Sequence, residues 1–244
     1  AARMSAADEV LDAGCGCAEQ DVLWARELGL RRIVGVDITP VRVDLAKRRV
    51  AEAGLQDRVE IRQGSATALP FPDASFDKVV ALESAFHFPT RQHFLREAFR
   101  VLRPGGRLAV ADVLPSPTRR RSWSRRLAVR LFRRCASIPE ANVYDRIEYA
   151  ARLATCGFVA IGMESIGDHV FPGFVRQKAL HLAGQEWFSV VVDLQPADFV
   201  AEEWLSGWRD CLGLDEYVIV AAETPRTRGL ADPGGRSDGA GAVH

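Results

Sequence analysis

The amino-acid sequence predicts an α/β fold built on a largely parallel sheet, and two observations carry this prediction. Seven short strand-like runs occur along the chain, at about residues 9–13, 32–37, 58–63, 76–82, 107–113, 158–166 and 216–223. The first five runs alternate with helix-compatible stretches near residues 19–29, 40–53 and 91–102. Such alternation is typical of βαβ units, whose strands lie parallel because a crossover helix returns the chain to the same edge of the sheet.

The first apolar run ends in a glycine turn, residues 14–18 (Gly-Cys-Gly-Cys-Ala), and Asp12 stands two places before its first glycine. Small residues let the backbone approach a ligand closely, and the N-terminus of the following helix favours a negatively charged group. Asp37 closes the second run, where its carboxylate can accept two hydrogen bonds from a ribose diol. This order of elements predicts a site for an adenosine-bearing ligand at the carboxyl edge of the sheet.

The glycine pattern narrows the choice of ligand. A dinucleotide fingerprint needs a third glycine three places after Gly16, but this position is Glu19, whose carboxylate would repel a pyrophosphate. The Walker phosphate loop is excluded as well, since no Gly-Lys-Ser or Gly-Lys-Thr follows. A ligand with adenosine at one end and an amino acid at the other fits the turn better.

Composition and charge exclude several classes of protein. The 244 residues suffice for one domain, and no apolar run approaches the roughly 20 residues of a membrane-spanning helix. Lys and Arg number 32 and so do Asp and Glu, so the whole chain carries no basic footprint for nucleic acid. The five cysteines are an odd number, which argues against a disulfide framework and predicts a reducing, cytoplasmic location. Cys15 and Cys17 are interpreted as small turn residues rather than metal ligands, because no partner pair stands at a zinc spacing.

The glycine turn resembles the first motif of the class I S-adenosylmethionine-dependent methyltransferases, which reads roughly Asp-x-Gly-x-Gly-x-Gly. Asp12, Gly14 and Gly16 match it, and Ala18 stands in place of the third glycine. Four further stretches resemble later motifs of the family, at residues 35–38, 64–71, 75–84 and 101–108. The last of these contains Pro-Gly-Gly, which cannot continue a helix. The resemblance is close over residues 9–114 and holds in outline over the rest.

The resemblance implies a Rossmann-like methyltransferase fold, in which a doubly wound, mostly parallel sheet of seven strands has helices on both faces and an antiparallel seventh strand. It also implies one domain over residues 1–225, with a helical substrate-lid insert after the fifth strand at residues 117–156. Residues 226–244 are rich in glycine and polar residues, so we expect a disordered tail. Members of the family usually carry helices before the first strand that cover the cofactor; if the protein lacks these helices, we expect a more open site.

The cofactor implied by the family is S-adenosylmethionine, with S-adenosylhomocysteine as its product. By the resemblance, the residues that contact it are Asp12, Gly14, Gly16, Gln20, Asp37, Ile38, Ser65, Ala66 and Glu83. The first three shape the methionine side, to which Gln20 is close in sequence; Asp37 binds the ribose and Ile38 packs on the adenine. Ser65 occupies a position that is usually acidic, so adenine recognition is weaker there or uses the hydroxyl group. Glu83 has two open interpretations, a contact with cofactor or substrate and a buried structural hydrogen bond.

His87 is the candidate general base. An alcohol or phenol acceptor must lose a proton, and histidine titrates close to neutral pH. His87 follows the fourth strand, and a histidine after Glu-Ser serves this role in the bacterial sugar and macrolide O-methyltransferases that this segment resembles. Asp112, at the end of the fifth strand, is suitably placed to orient His87 or to bind a substrate hydroxyl. The structural alternative is that His87 packs among Phe86 and Phe88.

Two motifs of other methyltransferases are absent from the sequence. Metal-dependent catechol-type enzymes carry paired acids after the fourth strand, whereas residues 81–86 read Ala-Leu-Glu-Ser-Ala-Phe, so we predict that no metal takes part. The Asn/Asp-Pro-Pro-Tyr signature of enzymes that methylate nucleobase amino groups is also absent, which argues against a nucleic-acid substrate.

Residues 119–134 carry eight arginines and no acidic residue. Trp123, Leu127 and Leu131 recur at helical spacing, so this segment is predicted to form a basic amphipathic helix. In one interpretation its apolar face packs on the domain as part of the lid. In the other it contacts an anionic membrane surface or a lipid-like acceptor, because basic amphipathic helices bind such interfaces.

The sequence therefore predicts a metal-independent methyltransferase that acts on a small molecule, with a hydroxyl group of a glycoside, polyketide or lipid-like natural product as the favoured acceptor. Two alternatives stay open. One is methylation of carbon or nitrogen in a sterol, quinone or amine. The other is a non-catalytic module that binds S-adenosylmethionine.

Overall fold

A computed structural model describes residues 1–114, 137–170 and 216–227 and, between the first two ranges, Trp123, Leu127, Arg130, Leu131, Arg133 and Arg134. The strands are β1 (Glu9–Ala13), β2 (Arg32–Asp37), β3 (Val59–Gln63), β4 (Phe76–Leu82), β5 (Leu102–Leu114), β6 (Val159–Ser165) and β7 (Glu216–Glu223). The main helices are α1 (Glu19–Glu27), α2 (Pro40–Glu52), α3 (Arg91–Val101) and α4 (Arg146–Thr155). Two 3₁₀ turns, Ala85–His87 and Glu140–Asn142, border the site described below.

The sheet has the strand order β3-β2-β1-β4-β5-β7-β6. Neighbouring strands from β3 to β5 pair in parallel, and β7 pairs antiparallel with both β5 and β6. This arrangement confirms the predicted Rossmann-like fold, including the antiparallel seventh strand. The strand order reverses between β1 and β4, and ligands of such sheets bind in the crevice at the carboxyl ends of the strands on either side of this point.

Helices cover both faces of the sheet. Val10 and Ile33 belong to a buried cluster that includes the inward-facing residues of α1 and α2. Leu11 and Val34, one position further along each strand, belong to a second cluster with the buried residues of α3 and α4. Because successive strand residues point to opposite faces, two of these helices lie on each side, as the doubly wound prediction requires.

β5 begins earlier than the sequence predicts. The expected strand starts at about residue 107, but β5 starts at Leu102, which pairs with Phe76 before the register shifts. Gly105 has a φ of 75°, and a Cβ on Gly106 would lie only 2.8 Å from the Arg103 carbonyl oxygen. The glycine pair therefore forms an irregularity within the strand, and glycine is the residue that tolerates this backbone geometry.

The predicted lid, residues 117–156, is described only in part. Its second half contains α4, whose Tyr149 and Leu153 are buried in the core, so this half is a crossover helix of the domain. In the first half, the described apolar side chains of Trp123, Leu127 and Leu131 are 80%, 53% and 57% exposed. The predicted tail lies outside the described residues, apart from positions 226 and 227.

Candidate functional site

A cavity of about 560 Å³ opens at the carboxyl ends of β1, β2 and β4, a volume typical of small-molecule sites. Seven of the predicted site residues line it: Gly14, Asp37, Ile38, Ser65, Ala66, Glu83 and His87. The wall is completed by Val36, Thr39, Arg42, Gly64, Ser84, Phe88, Pro89 and Ser137. The other four predicted site residues, Asp12, Gly16, Gln20 and Asp112, do not line the cavity.

The glycine turn brings β1 and β4 close together at the floor of the cavity. Gly14, Gly16 and Ala18 all have left-handed backbone conformations, with φ values of 82°, 58° and 59°. A Cβ on Gly14 would lie 2.5 Å from the Cβ of Ser84, so only glycine fits there. Ser84 donates its hydroxyl proton to the carbonyl oxygen of Ala13 at 2.7 Å, which ties the two strand ends together.

Asp37 stands at the end of β2 and is almost fully buried. Its Oδ2 accepts a hydrogen bond from Gly16 N at 3.1 Å, and its Oδ1 accepts one from Thr39 N at 2.8 Å. These two bonds fix the carboxylate, and each oxygen keeps a lone pair for a further donor such as a ribose hydroxyl. Ile38, the next residue, is 64% exposed and offers an apolar surface at the rim.

Ser65 uses its hydroxyl group within its own turn. Its Oγ lies 2.9 Å from Thr67 Oγ1 and accepts a hydrogen bond from Thr67 N at 3.2 Å. The hydroxyl therefore stabilises the loop that carries Ala66 along the cavity wall.

Asp12 and Asp21 form a buried pair of carboxyl groups behind the glycine turn. Gln20 donates from Nε2 to Asp12 Oδ2 at 2.9 Å. Asp12 Oδ1 and both oxygens of Asp21 are buried and, among the described residues, have no donor. Burial raises the pKa of Asp12 to about 6, with a smaller contribution from Asp37, and raises the pKa of Asp21 well above its usual value. A proton held between the two carboxyl groups satisfies both, since one then donates to the other.

Replacing Asp21 with asparagine is expected to remove a pH-dependent loss of stability. A raised pKa means that the folded state holds its proton more tightly, so the contribution of this pair to stability is fully present below about pH 4 and is lost as the pH rises through about 6 and beyond. Urea unfolding from pH 4 to 8 measures this slope, which should flatten in Asp21→Asn and persist in the exposed control Asp44→Asn. Equal slopes in wild type and Asp21→Asn would exclude the shared proton.

Glu83 is exposed at the cavity and is also hydrogen-bonded to the sheet, so its bond is not the buried one of the structural interpretation. Its side chain lines the cavity, and its Oε1 accepts a hydrogen bond from the hydroxyl of Tyr217 on β7 at 2.8 Å. Burial, followed by this bond, raises the pKa of Tyr217, so the tyrosine stays protonated and remains the donor. Glu83 has a φ of 51°, which is strained for a residue with a side chain, and such strain is concentrated at functional sites.

His87 ends the Ala85–His87 turn and is exposed to the cavity. Its Nδ1 lies 3.2 Å from the carbonyl oxygen of Ser137, and its ring lies 4.1 Å from that of Phe86. Because a carbonyl oxygen only accepts hydrogen bonds, this contact requires the proton on Nδ1 and makes Nε2 the basic nitrogen of the neutral ring.

The position of Asp112 corrects the prediction that it orients His87. Asp112 is fully buried and forms an ion pair with Arg91, whose Nε lies 2.7 Å from Oδ2 and whose Nη2 donates to Oδ1 at 3.0 Å. Tyr149 donates its hydroxyl proton to Oδ2 at 3.2 Å, and the Val113 backbone N–H donates to Oδ1 at 2.9 Å. The carboxylate is thus satisfied within the core, since a buried charge needs such partners, and it neither contacts His87 nor lines the cavity.

Sequence reasoning missed four residues that shape this site: Ser84, Arg91, Asn142 and Tyr217. Of these four, Arg91 could have been identified from its sequence pattern. Arg91 shares a helical face with Phe94, Leu95 and Ala98, and a cation on an apolar face needs a buried acid.

Within the described ranges, no group of three or more His, Cys, Asp and Glu side chains could hold a metal ion. No helix in the described part of the chain is long and apolar enough to cross a membrane.

Known proteins resemble this chain in sequence. Residues 11–110 match the family model described as a methyltransferase domain. The erythromycin 3''-O-methyltransferase of Saccharopolyspora erythraea is 42% identical over 173 residues, which are 70% of this chain and 56% of that protein. The 27-O-demethylrifamycin SV methyltransferase of Amycolatopsis mediterranei is 36% identical over 175 residues, which are 71% of this chain and 62% of that protein. An O-methyltransferase of Aspergillus sclerotiorum is 31% identical over 188 residues, which are 74% of this chain and 67% of that protein. The chain thus spans less than two thirds of the length of the first two relatives.

Solved structures resemble it in fold. Phosphoethanolamine N-methyltransferase 2 of Haemonchus contortus, in complex with S-adenosyl-L-methionine, superposes with a TM-score of 0.71 at 20% identity, covering 91% of this chain and 50% of that one. The (4+2) cyclase SpnF superposes with a TM-score of 0.68 at 23% identity, covering 92% of this chain and 77% of that one.

Proposed function

We propose that this chain, which belongs to the family of S-adenosylmethionine-dependent methyltransferases, methylates a hydroxyl group of a natural product. The proposed acceptor is large and apolar, and the reaction uses no metal ion. The observation that carries this proposal is the position of His87, whose basic nitrogen is set by Ser137 in the wall of a cavity of cofactor size. The names of the relatives support the acceptor class, since two of them refer to erythromycin and to 27-O-demethylrifamycin SV.

The residues of the cavity fit S-adenosylmethionine. Asp37 has acceptor capacity for the ribose hydroxyls, and Ile38 presents an apolar surface for the adenine. Gly14 keeps the backbone open where a side chain would collide with Ser84, which suits the methionine portion.

The chemistry divides between cofactor and protein. When bound, S-adenosylmethionine supplies an electrophilic methyl group for an in-line displacement. The protein aligns the acceptor, and His87 Nε2 takes the hydroxyl proton as the oxygen becomes nucleophilic. Ser137 holds the opposite side of the ring through its carbonyl oxygen, which also stabilises the positive charge that the ring acquires.

A second cavity supports a large acceptor. It has a volume of about 510 Å³ and is lined by Leu127, Arg130, Leu131, Arg134, Ile138 and Glu140. Ser137 lines the first cavity, and its sequence neighbour Ile138 lines the second. An acceptor with its hydroxyl group at His87 could place its apolar body against Leu127, Leu131 and Ile138.

An acceptor screen tests the proposal. The protein is incubated with S-adenosylmethionine and a panel of macrolide glycosides, ansamycins, quinones and amines, and S-adenosylhomocysteine formation is followed with product mass. Turnover on hydroxylated natural products supports the proposal. Turnover on carbon or nitrogen acceptors that persists in His87→Ala would favour carbon or nitrogen methylation, because an acceptor that is already nucleophilic needs no base.

The fold also supports a second candidate, a module that binds S-adenosylmethionine without transferring its methyl group. The observation in its favour is the similarity in fold to a protein named as a cyclase. Tight cofactor binding without turnover on any acceptor would favour this candidate. A cytoplasmic location belongs to either proposal and is supported by the free state of the described cysteines, Cys15, Cys17 and Cys156.

The arginine-rich part of the insert, residues 119–134, is expected to contribute to acceptor binding. Replacing Arg125, Arg126 and Arg130 with glutamine should weaken association with phosphatidylglycerol vesicles at low salt by about 100-fold, since each cation contributes about 1 kcal/mol at an anionic surface. The same variant should raise the acceptor KM if the insert binds the acceptor directly. Vesicle sedimentation and steady-state kinetics separate these effects.

The matched control replaces three exposed arginines elsewhere, Arg26, Arg48 and Arg96, with glutamine. If the insert variant changes neither vesicle association nor acceptor KM, residues 119–134 have no role in acceptor or membrane binding.

A further inference from the structure

Asn142 clamps the backbone on both sides of His87. It lies at the end of the Glu140–Asn142 turn, within the predicted insert, and is 1% exposed. Its Nδ2 donates to the carbonyl oxygen of Phe86 at 3.2 Å and to that of Phe88 at 2.7 Å. Its Oδ1 accepts a hydrogen bond from Arg91 N at 2.7 Å. The side-chain amide thus holds the residues before and after His87 and the first residue of α3.

Arg91 connects this clamp to the core. Its Nη1 donates to the carbonyl oxygen of Asn142, and its Nη2 donates to the carbonyl oxygen of Val113 at 2.9 Å. The same guanidinium forms the buried ion pair with Asp112 and lies over the rings of Tyr144 and Tyr149, 5.1 and 5.5 Å from their centroids. Burial lowers the pKa of Arg91, but the Asp112 carboxylate outweighs it and the net direction is upward, so the cation persists. A continuous path of buried polar contacts therefore runs from Asp112 through Arg91 to Asn142.

We propose that Asn142 is a positioning residue for His87, and that Arg91, paired with Asp112, anchors Asn142 to the core. This inference rests on the proposed function, in which His87 is the base. It also connects the predicted insert to His87, because the insert contains both Ser137 and Asn142. Ser137 contacts the His87 ring, and Asn142 holds the backbone beside it.

The chemistry of the clamp requires an amide. Aspartate at position 142 would keep the acceptor for Arg91 N but lose both donors, and it would set a carboxylate against the carbonyl oxygens of Phe86 and Phe88. Alanine would leave these carbonyls and the Arg91 N–H without their partner. Either change frees the turn that carries His87, and misplacement of a catalytic group by about 1 Å can cost on the order of 100-fold in rate.

A double-mutant cycle tests the inference. Asn142→Asp and Asn142→Ala are each expected to lower kcat by about 10- to 100-fold while the KM for S-adenosylmethionine changes less than about twofold. In a His87→Ala background the same substitutions should lower kcat by less than about twofold, because the residue acts through the base that has been removed. Glu148→Gln, an exposed change on α4, is the matched control and should match wild type. Equal losses in both backgrounds, or no loss in the wild-type background, would overturn the inference.

The NMR titration of His87 separates this inference from the proposed function, since it needs no turnover. The His87 ring resonance is assigned by its disappearance in His87→Ala and followed with pH in wild type, Asn142→Asp, Asn142→Ala and Glu148→Gln. We expect its chemical shift or titration midpoint to move in both Asn142 variants and to stay in the control. If the resonance moves but His87→Ala retains full turnover, His87 is not the base, whereas Asn142 still positions it. An unmoved resonance would reject the clamp itself, and thermal unfolding shows whether each variant is folded.

Discussion

Replacing His87 with alanine is expected to lower turnover by about 10²–10⁴-fold while leaving the affinity for S-adenosylmethionine nearly unchanged. This magnitude is that of a general base, which acts only as the acceptor proton is transferred. Cofactor affinity should persist because the groups proposed to hold the ribose and methionine belong to β1, β2 and their turns, whereas His87 follows β4. Single-turnover kinetics measure the chemical step, and calorimetry measures cofactor affinity.

His93 supplies the control. It is exposed on α3, outside the cavity, and His93→Ala should match wild type in both measurements. A parallel loss of cofactor affinity in His87→Ala would assign His87 a structural role, as part of the ring stack with Phe86. Normal turnover in His87→Ala would show that the acceptor is nucleophilic enough to react without a base.

The sequence predicted the fold well because the signals that define it are local. Each strand from β1 to β4 is a short segment of apolar or alternating pattern, and each of α1 to α3 begins where the periodicity changes. The turn at Gly14 and the acid at Asp37 were recognisable for the same reason, since residue type and order along the chain suffice to identify them. Their convergence at one cavity then follows from the parallel pairing of β1 and β2.

The polar interior was not predictable in the same way, because its pairs join distant segments. The prediction for Asp112 considered only its place at the end of β5, yet its partners come from α3 and α4. Asn142 gave no sequence signal, since its contacts span more than 50 residues and depend on how the insert returns to the domain. The Asp12–Asp21 pair also escaped notice, because its effect comes from burial beneath the turn rather than from a motif.

Replacing Asp37 with alanine is expected to weaken S-adenosylmethionine binding by about 10²–10⁴-fold. Two charge-assisted hydrogen bonds to the ribose would be lost, each contributing about 1.5–3 kcal/mol. The same substitution removes the acceptor for Gly16 N and Thr39 N, so the glycine turn and the start of α2 lose a shared anchor. Calorimetric titration with S-adenosylmethionine and S-adenosylhomocysteine measures both affinities, which should fall together because the two ligands share the ribose.

Two variants separate recognition from anchoring at this position. Asp37→Asn keeps one acceptor oxygen but loses the charge, so its affinity should lie between those of wild type and Asp37→Ala. Asp44→Ala removes an exposed carboxylate from α2 and should bind like wild type, which controls for the general loss of negative charge. If Asp37→Ala stays folded and binds both ligands as wild type does, the ribose is held elsewhere and the cofactor lies differently in the cavity. If Asp37→Ala loses binding and Asp37→Asn retains part of it, the carboxylate at the end of β2 is the group that selects the ribose.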